Sequence, residues 1–334
     1  MQHCPDLSLS EPMLRTAAFR DGVPSWVPAH RGPGTRNRID PQTLHLFVAV
    51  MDTGTIAAAA EREHIVASAV SKRLSDLEDS LKTKLLKRSN RGIEPTAAGT
   101  ELLSLARHVL NDLDCIYGRL NEHALGVRGV VRVFANISAI TEFMPGSLRS
   151  FMARFPQVQV QLQEKISSAV LQGVASNAAD VGLYAHGGGH AEDVVSLPYR
   201  RDELVVVVPL DHPLAMRAQV SIADTLAYDY VGLHTGSYIN QQLQKSARET
   251  GLPFRCRVQV TSFDALSVMV EAGMGVALMP RSIADRYRRL ANIQVLTLAE
   301  PWAHRELRIC VRSPDGLPVA AKLFVEHLQA ENQS

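Results

Sequence analysis

Residues 55–95 read TIAAAAEREHIVASAVSKRLSDLEDSLKTKLLKRSNRGIEP. Thr55 suits the position before a helix, because its hydroxyl can accept a free backbone N–H of the first turn. Ala57, Ala58, Ala59 and Ala60 are small, strong helix formers, so a second helix can cross them closely. A turn is expected near residues 64–67. The next helix carries Ala69, Val70, Leu74, Leu77 and Leu81, spaced by threes and fours into one apolar face. Its other face presents Ser68, Ser71, Lys72, Arg73 and Ser75, a polar and cationic surface of the kind that fits a duplex groove. Lys82, Lys84, Lys87, Arg88 and Arg91 follow with no acid between them, and Asn90-Arg91-Gly92 is a turn signal between two short apolar runs. These features predict a two-stranded basic wing whose charges meet phosphates. Taken singly, an alanine-rich helix pair is equally a packed hairpin and a charge run a solvated face. In this order, helix, turn, helix and wing point together to DNA, with Ser68, Ser71, Lys72, Arg73, Ser75, Lys87, Arg88 and Arg91 as its contacts.

The same stretch carries a family pattern. From Pro41 to Gly99 the chain resembles the winged helix-turn-helix of LysR-type transcriptional regulators. The matching residues are Leu44, Phe47, Val50 and Gly54, then Ala59-Ala60, Val70-Ser71, Leu74, Leu77-Glu78 and Leu81. Leu85-Leu86, Arg88, Arg91-Gly92 and Thr96-Ala97-Ala98-Gly99 complete them. One departure stands out. The family usually opens its recognition helix with a Ser cap followed by Gln and Pro, where this chain has Val66, Ala67 and Ser68. Either the helix starts later, capped by Ser68, or a base contact usual in the family is absent.

The 334 residues are enough for two or three domains. A formal net charge of +1 gives no global attraction to DNA, so any attraction comes from local clusters such as the wing. No apolar run approaches the roughly 20 residues of a membrane span; the run at 204–208 fits a buried strand. Cys4, Cys115, Cys256 and Cys310 are scattered singly, which argues against a metal site and for reduced thiols in a cytoplasmic protein. A redox role for one of them stays open. Residues 1–38 hold five prolines, no sustained apolar period and no secretory pattern. They read as a disordered extension, or as a start codon placed too early.

Asp40-Pro41 opens the first helix, with Leu44, Phe47, Val48 and Met51 on its buried face and Gly54 at its end. This completes a winged helix-turn-helix domain over 39–96. Thr96 then caps a long helix over 97–126. Leu102, Ala106, Val109, Leu113, Ile116 and Leu120 step by four and three, a coiled-coil seam, while Leu103, Leu110 and Tyr117 widen the stripe. The resemblance implies that this linker pairs two subunits. Beyond Gly126 and Gly129, strands are expected at 130–135, 158–164, 181–183, 204–209, 230–233, 257–260, 275–279 and 307–311. Helices are expected at 140–154, 169–175, 239–250, 264–272 and 320–328, an alternation that argues for α/β layers.

This half also resembles the family, through LRSFMARFP (148–156), Asp180-Val181-Gly182-Leu183, Asp211-His212-Pro213-Leu214 and EAGMGVALMP (271–280). The fold class is therefore α+β multidomain: an N-terminal winged helix-turn-helix, a long linker helix, and a C-terminal two-lobed α/β effector-binding domain of periplasmic-binding-protein type over 130–330. The implied lobes are 130–203 with 304–330, and 204–303.

A cleft between such lobes binds small molecules where strand ends meet helix N-termini, and free N–H groups there favour an anion. Ser138, Ser168, Thr235 and Ser262 are the candidate effector contacts, and Thr261 with Asp264 has capping-box spacing. Each is equally accounted for by plain helix capping. His186 and His190 flank a glycine loop with no third ligand, so no metal is expected, and no cofactor or catalytic residue is assigned. The reading is a cytoplasmic, DNA-binding regulator. Its expected partners are double-stranded DNA, a small-molecule effector (an anion by the helix N-termini), a second copy or a tetramer of itself, and RNA polymerase as a further candidate. The alternative is a cytosolic enzyme or solute-binding protein whose helical N-terminus serves only dimerisation.

Overall fold

The computed structural model of the protein describes residues 39–89, 92–125, 127–187 and 193–332. The extension, Gly126, Arg91, His190 and the side chains of Arg88, Tyr117 and Leu120 lie outside the described residues.

Helix α1 (Pro41–Thr53) starts as read: Asp40 accepts the Thr43 N–H at 2.9 Å, Pro41 opens the helix, and Gly54 ends it in the left-handed region at φ 76°. Helix α2 (Ile56–Arg62) is capped by Thr55, and helix α3 (Ala67–Leu81) crosses Ala59 and Ala60, both buried. Phe47, Val50, Val70, Leu74 and Leu77 close a core between the three helices. Strands β1 (Leu86–Ser89) and β2 (Gly92–Pro95) form the antiparallel wing. The wing is fastened to the helices by the Ile93 N–H, which donates to the Gly54 carbonyl at 2.9 Å. Gly92, at φ 120°, is needed here, because a Cβ would stand 2.7 Å from that same carbonyl oxygen.

Helix α4 (Ala97–Leu125) is capped by Thr96, whose Oγ1 accepts the Gly99 N–H at 3.0 Å. Its 29 residues span about 43 Å at the α-helical rise. Ala106 is buried, Leu102 and Leu103 pack on the winged core, and Arg107 pairs with Asp52 of α1 at 2.6 Å. On the outer side Leu105, Val109 and Ile116 are about half exposed.

The rest of the chain runs β3 (Gly129–Ala135), α5 (Ile137–Glu142), α6 (Met144–Arg154), β4 (Val158–Glu164), α7 (Ser167–Ala175), β5 (Val181–Ala185), β6 (Val195–Pro209), β7 (Gln219–Val220), α8 (Ile222–Leu226), β8 (Tyr230–Leu233), α9 (Tyr238–Thr250), β9 (Cys256–Val260), α10 (Phe263–Glu271), β10 (Ala277–Pro280), α11 (Arg281–Tyr287), β11 (Ile293–Leu298), β12 (His304–Val311) and α12 (Val319–Glu331). One sheet has the order β4-β3-β5-β12-β6-β11-β7, with β10 also on β6, and β8 pairs with β9 apart from it. The long strand β6 holds the sheet together. Its first part, 195–203, pairs with β12, and its second part, 204–209, pairs with β10 and β11. Leu204 to Val208 are fully buried, as expected of a strand covered on both faces.

Five expectations are corrected. The helix expected over 140–154 is two helices, α5 and α6, which meet at Phe143. Pro145 lies in the first turn of α6, where it has no N–H to give to a continuing helix and its ring disfavours helical backbone before it. Helix α7 starts two residues early, so Ser168 sits inside its first turn and Ile166, which cannot cap, precedes it. Ser262, not Thr261, caps α10; a capping box occurs instead at Ser221 and Asp224 of α8. The strand expected over 204–209 begins nine residues earlier, at Val195, and β7, α8, α11 and β11 form where no element is expected. Finally, the recognition helix does not start late: it begins at Ala67 with Val66 as an uncapped N-cap, and Ser68 caps nothing.

Candidate functional site

The first surface is the outer face of α3. Ser68, Ser71, Lys72 and Ser75 are all exposed, while Val70, Leu74 and Leu77 point inward. Residues four apart share a side of a helix, so Ser71 and Ser75 line one row and Ser68 and Lys72 the next. Arg73 is drawn off: its guanidinium stands 3.6 Å from Asp40 at the start of α1. Val66, 69% exposed, leads the helix without a cap, which forgoes about 1 kcal/mol of helix stability.

Two acids that flank the basic run, Glu78 and Glu94, change the electrostatics of the wing. Glu78, on the inner side of α3, accepts the backbone N–H groups of Leu85 at 2.9 Å and Leu86 at 3.1 Å, and pairs with Lys84 at 2.6 Å. Burial opposes the charge on this carboxylate, but Lys84 and the two N–H groups outweigh it and hold its pKa below the ordinary value. Lys87 meets Glu94 across the wing at 3.3 Å. Glu78 is thus a positioning residue for the wing that the apolar pattern of α3 concealed. Of the predicted DNA contacts, Ser68, Ser71, Lys72 and Ser75 share one face, Arg73 and Lys87 are paired, Arg88 lies on β1, and Arg91 is outside the described residues.

The second site is a small, partly open cavity in the C-terminal half. Asn136, Ile137 and Ser138 bring the start of α5 to it, Lys165, Ile166 and Ser167 the start of α7, and His234, Ser237 and Tyr238 the start of α9; Arg305 of β12 forms part of the wall. The α5 and α9 ends are capped by Asn136 and Ser237, whereas α7 has no side-chain cap. Its first-turn N–H groups and the exposed Lys165 make that corner positive. Arg305 adds little to that field. It faces Asp202 in register across β6, both side chains almost completely buried, and donates to Asp202 with two nitrogens while Nη2 also donates to Ser138 Oγ at 2.9 Å. The Tyr238 ring stacks 5.6 Å from the same guanidinium. His234 Nδ1 is buried at the cavity without a hydrogen-bond partner among the described residues.

Of the four predicted effector contacts, only Ser138 lines this cavity. Ser168 lies one residue past the lining Ser167, Thr235 is exposed and donates to Gln259, and Ser262 is occupied in capping α10. Lys165, His234, Tyr238 and Arg305 carried no cap or motif signal, since their meeting depends on three distant segments. Among the described residues no group of three or more His, Cys, Asp or Glu side chains could hold a metal ion. Burial raises the Cys256 thiol and pushes Cys310 up to about 12, so both are held as unreactive thiols. No single described helix is long and apolar enough to cross a membrane.

A helix-turn-helix with a wing, joined by a long helix to an α/β unit with a partly open pocket, is the architecture of a DNA-binding regulator with a ligand-binding half. The family model described as "LysR substrate binding domain" matches residues 124–333, and that of "Bacterial regulatory helix-turn-helix protein, lysR family" matches 41–100. The chain belongs to the LysR family of transcriptional regulators. It is similar to the HTH-type transcriptional regulator YofA of Bacillus subtilis (strain 168), 26% identical over 285 residues, which cover 85% of this chain and 96% of the relative. It is also similar to the probable HTH-type transcriptional regulator LrrA of Synechococcus elongatus, 31% identical over 245 residues, covering 72% and 81%. Among solved structures, full-length OxyR from Pseudomonas aeruginosa shares the fold at a TM-score of 0.68 with 21% identity, covering 89% of this chain and 95% of that one.

Proposed function

We propose that this LysR-type regulator binds operator DNA as a homo-oligomer through α3 and the wing, and that a small anionic effector in the cavity alters the geometry of the paired DNA-binding heads. The observation that carries the reading is the outer face of α3, where Ser68, Ser71, Lys72 and Ser75 stand exposed on a helix whose other side is buried. The exposed strip of Leu105, Val109 and Ile116 on α4 favours a dimer seam, with tetramers built from such dimers. In this reading residues 39–96 hold DNA, 97–126 pair the subunits, and 130–203 with 304–330 and 204–303 form the two lobes around the effector. The protein acts in the cytoplasm, catalyses no reaction, and has RNA polymerase as its downstream partner.

Support for the anion comes from the positive corner at α7 and from Arg305 being already neutralised by Asp202, which leaves Lys165 and main-chain N–H groups to receive the ligand. The test is a mobility-shift titration of the full chain against the intergenic DNA beside its gene, repeated over a range of salt. Each phosphate contact contributes about 0.9 to the log–log slope. Lys72→Ala and Ser71→Ala should weaken specific binding, and small carboxylates should raise the melting temperature of wild type but not of Lys165→Ala. Unchanged binding in the α3 variants would remove the DNA reading.

A further inference from the structure

The leading turn of α3 has an unusual surface. Its N-cap position calls for Ser, Thr, Asp or Asn, yet Val66 stands there with no capping hydrogen bond. Valine forgoes that stabilisation and gains no packing in return: it is 69% exposed, the most exposed large apolar side chain described between residues 39 and 96. Ala67 beside it is exposed as well, and Ser68 and Ser71 are short. Bidentate reading of guanine or adenine needs a free Arg, Lys, Asn or Gln. The first two turns hold only Lys72 in that condition, because Arg73 is turned to Asp40. The tip that enters the groove first is therefore small and apolar, and the one apolar feature of the major groove is the C5-methyl of thymine.

We propose that Val66 is a specificity-determining residue that reads a thymine methyl group in each half-site, with Ala67 leaving room for close approach. This rests on α3 being the DNA-reading helix. The valine isopropyl group fills the space above one pyrimidine, and the discrimination comes from covering a single methyl rather than from a hydrogen bond. Lys72, one turn further along, supplies the polar contact.

The test uses the full-length chain and a randomised duplex pool. Sites recovered by selection are resynthesised with each thymine in turn replaced by deoxyuridine, which removes the methyl and nothing else. One thymine per half-site should respond, with affinity falling about fourfold, the value of covering one methyl group. Val66→Ala should bind the thymine and deoxyuridine duplexes equally, while Lys72→Ala binds more weakly but keeps the fourfold ratio. An unchanged melting temperature for Val66→Ala is expected from its exposure, and the wild-type deoxyuridine series is independent of it. If no thymine responds, or if Val66→Ala preserves the ratio, the assignment is wrong although DNA binding stands. If the pool yields no enriched sequence, the DNA reading itself fails and this inference falls with it.

Discussion

Replacing Glu78 with alanine should loosen the wing without unfolding the helices. The Glu78 carboxylate holds the N–H groups of Leu85 and Leu86, at the point where the chain leaves α3 for β1. Leu85 is buried, so its amide finds no replacement partner; Leu86 is half-buried and water reaches it in part. A hydrogen bond to a charged group contributes about 1.5–3 kcal/mol, and an orphaned buried N–H costs about 1–3 kcal/mol. The exposed Lys84 ammonium is left out of this sum. Local opening of the β1 start should thus become easier by about 2–4 kcal/mol, which is about a thirtyfold to thousandfold loss of amide protection. Hydrogen exchange at Leu85 and Leu86 in the full chain reads this directly. Glu78→Gln keeps an uncharged acceptor and should lose only about 1 kcal/mol. Because the folded pKa lies below the ordinary 4.5, the charged contribution is complete above that value and disappears as pH falls through the folded pKa. Wild type and Glu78→Gln should therefore converge in acid. Unchanged exchange at both amides in Glu78→Ala would refute the tether.

Breaking the buried pair at the cavity wall should be costlier. Asp202→Ala leaves Arg305 charged and buried, and a loss of about 3–5 kcal/mol in unfolding free energy is expected by denaturation; a variant as stable as wild type would contradict the pairing. Ile116→Asp, on the exposed strip of α4, should shift sedimentation towards the monomer mass, and an unchanged mass would remove the seam. Burial raises the Glu142 carboxyl, whose Oε2 has no partner among the described residues, so its stabilising protonated form is lost as pH rises through the folded pKa. Glu142→Gln should accordingly raise the melting temperature at pH 8 and leave it unchanged at pH 4.

The winged half was legible because its signals are local. Asp40, Gly54, Thr55 and Thr96 act on backbone groups within three or four residues, and the apolar steps of α1 and α3 name their own buried faces. The C-terminal half was legible as strands alternating with helices but not in detail. The first part of β6 reads VSLPYRRDE, with a proline and a run of charges where a strand is usually apolar. Those charges belong in a sheet only because Asp202 meets Arg305 and Glu203 meets Arg281, partners from about 80 to 100 residues away. The cavity suffered the same fate. Polar residues near helix starts point to Ser138, Ser168, Thr235 and Ser262, of which only Ser138 lines the cavity, whereas Lys165, His234 and Arg305 are drawn together by topology alone. Pro145 was a usable signal: it sat inside the expected helix and broke it at Phe143.

Strand β6 has a mechanical consequence. A single peptide ribbon passes from one group of strands to the other between Glu203 and Leu204, beside the return crossing just before His304. Two adjacent extended ribbons behave as a torsion spring: they twist readily, but they resist stretching and sliding. At that crossing the carboxylates of Asp202 and Glu203 are clamped by Arg305 and Arg281, which stiffens the ribbon where it changes partners.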